Sequence, residues 1–434
     1  MKQDRFKNYE QKVRDLVISF ESQNAEHPHF FDIDQMEIIA DYYLEVYDIA
    51  GLESAVVYGE QLFPNNPEIR LRRAHLLSVQ GDYQKALDIL KNLEAESPNN
   101  TDVFYALGAL YSMMGYHKQS IHYYYKASAD GYQLDVIYGN IGDEHFVSGE
   151  YSDAIKLYKM SIARNPNDER SLCNLMNVWQ DQGQLDEAQD FFQKLVEENP
   201  YSQGGWYCLG CAYTWAHLLE KAIDCFEYAL AIDKTMLQAY YALSESYCQL
   251  DDMGRAVQAL RDSLEYTDDR PFVLYSIGRL YLSKGNNHTA STYLHDAIKE
   301  DPTYALAWND LGRCSQNLGF VDEAASYFRR AIDLDPDSDE HWLCLADLYI
   351  QTERFAEAAS LLESSRSDAI DQFGFDARLM LCYFRLGRRN RLFDLINRDA
   401  EQFGTLYPNL LRWYPEFVND LEVYAVINDL MSKI

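Results

Sequence analysis

Cys208 and Cys211 stand three residues apart, with Cys225 and Cys248 further along the chain. Thiols at that spacing can hold a soft metal or exchange disulfides. Here the pair lies in a stretch read as helix, not in the turn that zinc ribbons use, and no second Cys-x-x-Cys follows. Cysteine is also a good small residue for packing helices, and that is the reading adopted. The ten histidines are scattered; His117 and His122 are five apart and do not share a helix face. There is no His-Glu-x-x-His, no phosphate loop, no dinucleotide-binding glycine fingerprint and no nucleophile-elbow serine. Most carboxylates fall in turns or on polar faces, where solvation accounts for them. The sequence therefore offers no catalytic set, no metal ligands and no cofactor site. What remains is binding.

Composition narrows the partner. The 434 residues are 47% hydrophobic and 14% aromatic, which excludes a disordered chain. Tyrosine is abundant, with 34 residues against 20 Phe and 6 Trp, and it suits surfaces that hold other chains. A formal charge of -31 repels phosphate backbones and anionic lipid, so neither nucleic acid nor membrane is expected as partner. Basic or neutral protein partners fit better. The apolar stretch from Val13 to Phe20 is interrupted by Arg14 and Asp15, too short and polar for a secretory core. No window is apolar enough to span a bilayer. A cytoplasmic location with reduced thiols is the expectation.

The elements that must position any site are repetitive. Trp308, Leu311 and Gly312 recur at a step of 34: Phe104 with Leu107 and Gly108, Tyr138 with Ile141 and Gly142, Trp206 with Leu209 and Gly210, Trp342 with Leu345 and Ala346. A second column reads Ala86, Ser120, Ala154, Ala188, Ala222, Ala256, Ala290, Ala324 and Ala358. A third contains Pro64, Pro98, Pro166, Pro200, Pro302 and Pro336. Glycines 81, 149, 183 and 319 mark turns between the first two columns.

Each period reads as two helices. The first carries the bulky and aliphatic residues on one face, and the second carries a small residue where helix axes approach. Proline stops the second helix. A single pair cannot bury its apolar face, whereas stacked pairs can.

The pattern resembles the tetratricopeptide-repeat family, with Trp308, Leu311, Gly312, Ala324, Phe328, Ala331 and Pro336 filling nearly all of it in one repeat. Tyr111, Tyr213, Tyr247, Tyr281 and Tyr349 occupy that family's tyrosine column. The resemblance implies an all-α, right-handed superhelical solenoid of antiparallel helix pairs, about ten or eleven repeats of 34 residues. Met176 and Arg73 depart from the columns. The expected layout is an N-terminal capping helix or partly flexible segment over residues 1–32, a solenoid over 33–406 and a C-terminal capping helix over 407–434. The first cap carries Phe6, Tyr9, Val13, Leu16, Val17 and Phe20 at helical spacing; the second carries Phe417, Leu421, Tyr424, Ile427 and Met431.

In that family the first helices line the concave face where ligands lie. The resemblance thus places Tyr105, Gly139, Cys173, Tyr207, Tyr241, Tyr275 and Asn309 in a groove, with Asp143, Asn177, Cys211, Glu245, Arg279 and Arg313 one turn further on. The expectation is a tyrosine-lined, largely acidic groove that binds a protein or peptide, with the chain acting as a scaffold or adaptor and not as an enzyme. The Lys/Asn/Arg carboxylate clamp of chaperone-binding members is not present. Arg279 and Arg313 are suited to an anionic group held between them.

Arg378, Arg385, Arg388, Arg389 and Arg391 form a basic cluster in an otherwise acidic chain. They read as a solvated face or as a docking site for an acidic partner, including head-to-tail association with another copy. Two other readings are weaker: an enzyme or metal protein with a site on the solenoid wall, and a regulatory peptide sensor, for which residues 1–32 are too short to form an attached DNA-binding domain.

Overall fold

The computed structural model describes residues 2–22, 30–131, 133–364, 372–403 and 406–433, with side chains except at 2–10, 399–403 and 433. Phe6 and Tyr9 fall outside the described side chains. Every regular element among the described residues is helical. The chain forms two compact units, Met1–Asp233 and Lys234–Ile434.

The N-terminal unit begins with the helix Lys2–Glu21 and continues as helix pairs: Ile33–Glu45 with Ile49–Leu62, Pro67–Val79 with Tyr83–Glu96, Thr101–Met113 with His117–Ala127, Leu134–Val147 with Tyr151–Ile162, Glu169–Gln182 with Leu185–Glu198, and Gln203–Trp215 with Leu219–Ile232. The C-terminal unit pairs Leu237–Gln249 with Met253–Ser263, Arg270–Ser283 with Asn287–Glu300, Ala305–Asn317 with Val321–Leu334, Asp339–Gln351 with Phe355–Glu363, and Gln372–Arg385 with Arg389–Phe403. Short turns make each pair antiparallel, so the fold is an all-α stack of helix pairs.

The three columns have distinct tasks. The alanines from Ala86 to Ala358 are buried without exposure, and Ser120 with them. The glycine of a first helix receives a large residue of its second helix: a Cβ on Gly142 would lie 2.7 Å from the Tyr158 ring, and one on Gly210 would lie 2.5 Å from Phe226. Tryptophan and proline work together. The indole Nε1 of Trp206 donates to Pro200 O at 2.9 Å, and Trp308 and Trp342 donate to Pro302 O and Pro336 O at 3.0 Å. Each indole thus satisfies a carbonyl left over where the preceding helix ends.

The turn inside each pair holds one residue in the left-handed region. In the N-terminal unit these are Tyr47, Gly81, Gly115, Gly149, Gly183 and His217; in the C-terminal unit they are Asp251, Gly285, Gly319, Glu353 and Gly387. All share the 34-residue register. The turn closes by a backbone bond such as Asp82 N to Leu77 O at 2.8 Å, which requires that conformation.

The departures have physical reasons. Arg73 leaves the aliphatic column to make a bidentate bond to Glu60, at 2.9 and 2.6 Å. Met176 is buried in place of a small residue, and beside it Trp179 meets Phe192 edge-on at 5.7 Å. At the N-terminus Val17 and Phe20 enter the core beside Phe31, Met36 and Ile39. Residues 407–433 form three helices and not one: Tyr407–Trp413, Glu416–Asn419 and Leu421–Lys433. Pro408 and Pro415 sit at the first two starts, and Asp420 caps the third, its side chain accepting from Val423 N at 3.1 Å. The apolar face is also rotated from the expected one. Phe417, Val423 and Ile427 are buried, whereas Leu421 is 85% exposed and Tyr424 is exposed. Residue 434 lies outside the described residues.

Candidate binding face

Neighbouring first helices are joined by rungs that sequence reading did not find. The residue after the bulky position reaches the residue 35 further on. Asn140 Nδ2 donates to Tyr105 Oη at 3.2 Å, and Asn309 Nδ2 reaches Cys344 Sγ at 3.8 Å, each across 35 residues. The free thiols of Cys173 and Cys208 share a hydrogen bond, and the Tyr275 hydroxyl donates to Asp310, at the same separation. Several residues expected in the groove therefore also join adjacent repeats. Gly139 has no side chain to offer; Arg170 lies over it, 2.7 Å from where a Cβ would stand.

Tyr207 and Tyr241 sit differently. Tyr207 is part-buried, bonds Cys211 and tilts against Phe226 with centroids 5.8 Å apart. Tyr241 is part-buried and meets Phe272 edge-on at 5.4 Å. Burial pushes both phenols above their ordinary pKa. Asp143 is a hub: Tyr158 Oη, Asn174 Nδ2 and Arg170 Nη1 donate to it at 2.7, 2.8 and 3.0 Å. Asn177 and Glu245 are exposed on their first helices.

The structure brings Arg279 and Arg313 together, with a carboxylate of this chain between them. Asp310, 4% exposed, lies 3.8 Å from Arg279 Nε and 3.6 Å from Arg313 Nη1. Arg313 Nη2 also reaches Glu340 at 2.5 Å, and Arg279 covers the Tyr275 ring. Burial raises the pKa of Asp310 against the pull of both guanidiniums. The basic cluster is balanced in the same way. Arg378 pairs with Asp347 at 2.6 Å, Arg385 with Glu416 at 2.9 Å, Arg389 with Asp420, and Arg388 and Arg391 with Glu363 at 3.7 and 2.9 Å.

A concavity of about 540 Å³ opens in the N-terminal unit, lined chiefly by the first helices of its first four pairs. Its walls include Leu44, Leu71, Tyr105, Ala127 and Ile137. Its charged lining is Glu37, Asp41, Glu45, Glu68, Asp102 and Asp130, against the single guanidinium of Arg72. Arg72 Nε lies 2.7 Å from Asp41 and its Nη2 lies 3.9 Å from Glu37. His75 lines the same space, and burial pushes its pKa down to about 4. Of the residues expected in the groove, Tyr105 alone lines this cavity. A signal for the rest was available: Glu68 and Asp102 share one register position in the first turns of their helices. Acids there also complement the helix dipole, which makes them easy to pass over.

Among the described residues His145, Glu150 and Asp153 also converge, with ligand-type atoms within 4.8 Å. They are already partnered, His145 Nδ1 with Glu150 at 2.5 Å and Asp153 with Lys156 at 2.8 Å. Cys208, the buried member of the Cys-x-x-Cys, takes Cys173 as its thiol partner. Among the described residues no helix is long and apolar enough to cross a membrane.

Tetratricopeptide-repeat family models match residues 237–270, 275–338 and 319–371. The TPR repeat-containing protein YpiA of Bacillus subtilis (strain 168) is 26% identical over 170 residues, 38% of this chain and 39% of that protein. The chain thus spans well under half of that relative's length. Among solved structures, a tetratricopeptide repeat protein from Parabacteroides merdae is 16% identical with a TM-score of 0.40, covering 58% of this chain and 99% of that one. A chain of the APC/C hetero-tetramer Cut9-Hcn1 is 14% identical with a TM-score of 0.37, covering 93% and 90%.

Proposed function

Because this chain is a tetratricopeptide-repeat protein, we propose that it acts as a scaffold, holding another protein or a peptide on the face built by its first helices. Stacked repeats of this kind serve as interaction surfaces in general, since each repeat adds a strip of exposed helix to one continuous face. The observation that carries the reading is the cavity of about 540 Å³, in which first helices from four successive pairs converge. The exposed polar residues Asn177 and Glu245, and part-buried Tyr207 and Tyr241, extend the same kind of surface within their own units. Binding, not catalysis, is the proposed role.

The test is unbiased. A random peptide display library is panned on the immobilised full chain, and bound peptides are then photo-cross-linked and mapped. The expected result is enrichment of a sequence class whose cross-links fall on first helices. Failure to enrich any peptide, or cross-links confined to the second helices, would overturn the reading.

A further inference from the structure

We propose that the acidic cavity of the N-terminal unit binds a basic segment of a partner protein, seating an arginine or lysine side chain among Glu37, Asp41, Glu68 and Asp102. This rests on the scaffold reading and specifies its ligand.

Acidic side chains in the first turn of a helix need no ligand to explain them, because they answer the helix dipole. Three features separate this cluster from that case. The carboxylates line a cavity of about 540 Å³, within the range of about 300–1,000 Å³ typical of ligand sites. They are poorly neutralised from within. Arg72 is the one cation in the lining, and it is already engaged by Asp41 and Glu37. Burial makes Glu37 harder to ionise despite the pull of Arg72, and Glu68, Asp41 and Asp34 add to it, so a further cation would favour its charged form. Finally, His75 has its Nδ1 shut off from solvent and without a hydrogen-bond partner, at the wall of the same space. Burial keeps that imidazole neutral near pH 7, so His75 adds no positive charge to a wall that meets a cation.

The apolar parts complete the match. Leu44, Leu71 and Ile137 can cover the methylene stem of a long cationic side chain, which commonly lies along apolar surface with its head in a polar setting. Tyr105 stands on the same wall with its ring exposed in part, and an aromatic face attracts a guanidinium. An acidic peptide would meet six carboxylates, and an apolar one would take water from the cavity and supply no donor or charge in return.

The test uses the full chain and fluorescein-labelled Gly/Ser nonapeptides carrying three arginines, or three citrullines in their place. Citrulline keeps the shape and removes the charge. The arginine peptide is expected to bind at least about tenfold more tightly by fluorescence anisotropy, and to lose about tenfold with Glu37→Gln plus Glu68→Gln. The double variant Asp186→Asn plus Glu187→Gln, on exposed sites elsewhere in the unit, is expected to leave affinity unchanged. Equal losses from both double variants would mean attraction by the net charge alone and would overturn the proposal, as would equal binding of arginine and citrulline peptides. Should the cavity variant unfold, carbodiimide coupling of a lysine peptide to the native chain decides. Adducts concentrated on the cavity carboxylates support the site; adducts spread over other carboxylates overturn it. Enrichment of uncharged peptides in the display experiment would leave the scaffold standing while this inference falls.

Discussion

Gly312 and Phe328 face each other so closely that a Cβ on the glycine would lie 2.5 Å from Cε1 of the ring. That contact lets the two helices of a pair pack with a full aromatic side chain between them. Gly312→Ala is therefore expected to destabilise the C-terminal unit by about 1–3 kcal/mol, the usual cost of overpacking. Phe328→Leu in the same chain should recover part of that loss, because the shorter side chain makes room. A double-mutant cycle by urea unfolding checks it; additive losses would show that the two sites do not share a space.

Glu353 and His217 hold a left-handed conformation at turns where glycine stands elsewhere. For an L-residue with a Cβ that conformation costs about 1–2 kcal/mol. Glu353→Gly and His217→Gly should each raise Tm, with part of the gain offset by the greater freedom of glycine in the unfolded chain. Gly319→Ala should lower it. Thermal unfolding of the three variants tests the set, and a fall in Tm for both glycine replacements would refute the strain.

Cys173 is exposed, and its hydrogen bond with Cys208 holds its thiol below the ordinary cysteine pKa. Burial pushes Cys314 and Cys382 up to about 12. Iodoacetamide should alkylate Cys173 at least about tenfold faster than either buried thiol in the native chain, since the thiolate is the reactive form. Peptide mapping over a time course measures the order, and equal rates at Cys314 would contradict the burial described here.

His75 has an ordinary pKa of 6.5, pushed down to about 4 chiefly by burial and further by Arg72. Between those values the unfolded chain binds more protons at this site than the folded one, so stability rises with pH. The contribution is complete above about 6.5 and is lost as pH falls toward 4. His75→Leu should shrink the drop in Tm between about pH 7 and about pH 4.5. An unchanged drop would place the acid sensitivity in other groups.

Tyr207→Ala with Tyr241→Ala should leave helicity intact and weaken retention of display-selected peptides. Both rings are part-buried at the edge of their units' cores, so some loss of Tm is expected while the helices remain. Circular dichroism and peptide binding are read together; undiminished binding by a folded variant would take these tyrosines out of the binding face.

Much of the fold was legible because the columns record steric and capping needs that one residue type meets best. The alanine column marks closest approach, and the glycine opposite Phe226 or Phe328 marks the ring it must admit. The turn positions at Tyr47, His217, Asp251 and Glu353 were hidden, because there the period carries the conformation and residue type does not. The candidate site was less legible. Tyr105 was found from its place beside the bulky column, but its bond to Asn140 depends on how two helices sit side by side, which spacing within one helix cannot reveal. Glu37 lies one turn before Asp41 on one helix and His75 repeats the position of Asp41 on the next first helix, but nothing in the spacing says that the three meet in one cavity. Arg279 and Arg313 were read as a place for an outside anion, yet Asp310 of this chain stands beside both, one residue from the column that drew attention to the pair.

The bonds from Trp206, Trp308 and Trp342 to the prolyl carbonyls have a mechanical meaning. Each indole is a clamp across the joint between one pair and the next, and a stack of such joints behaves as springs in series. Phe104, Leu172 and Leu274 stand at the same position and cannot donate a bond. Compliance should gather at those unclamped joints, so that a partner pressing on a unit bends it there before it bends a clamped one.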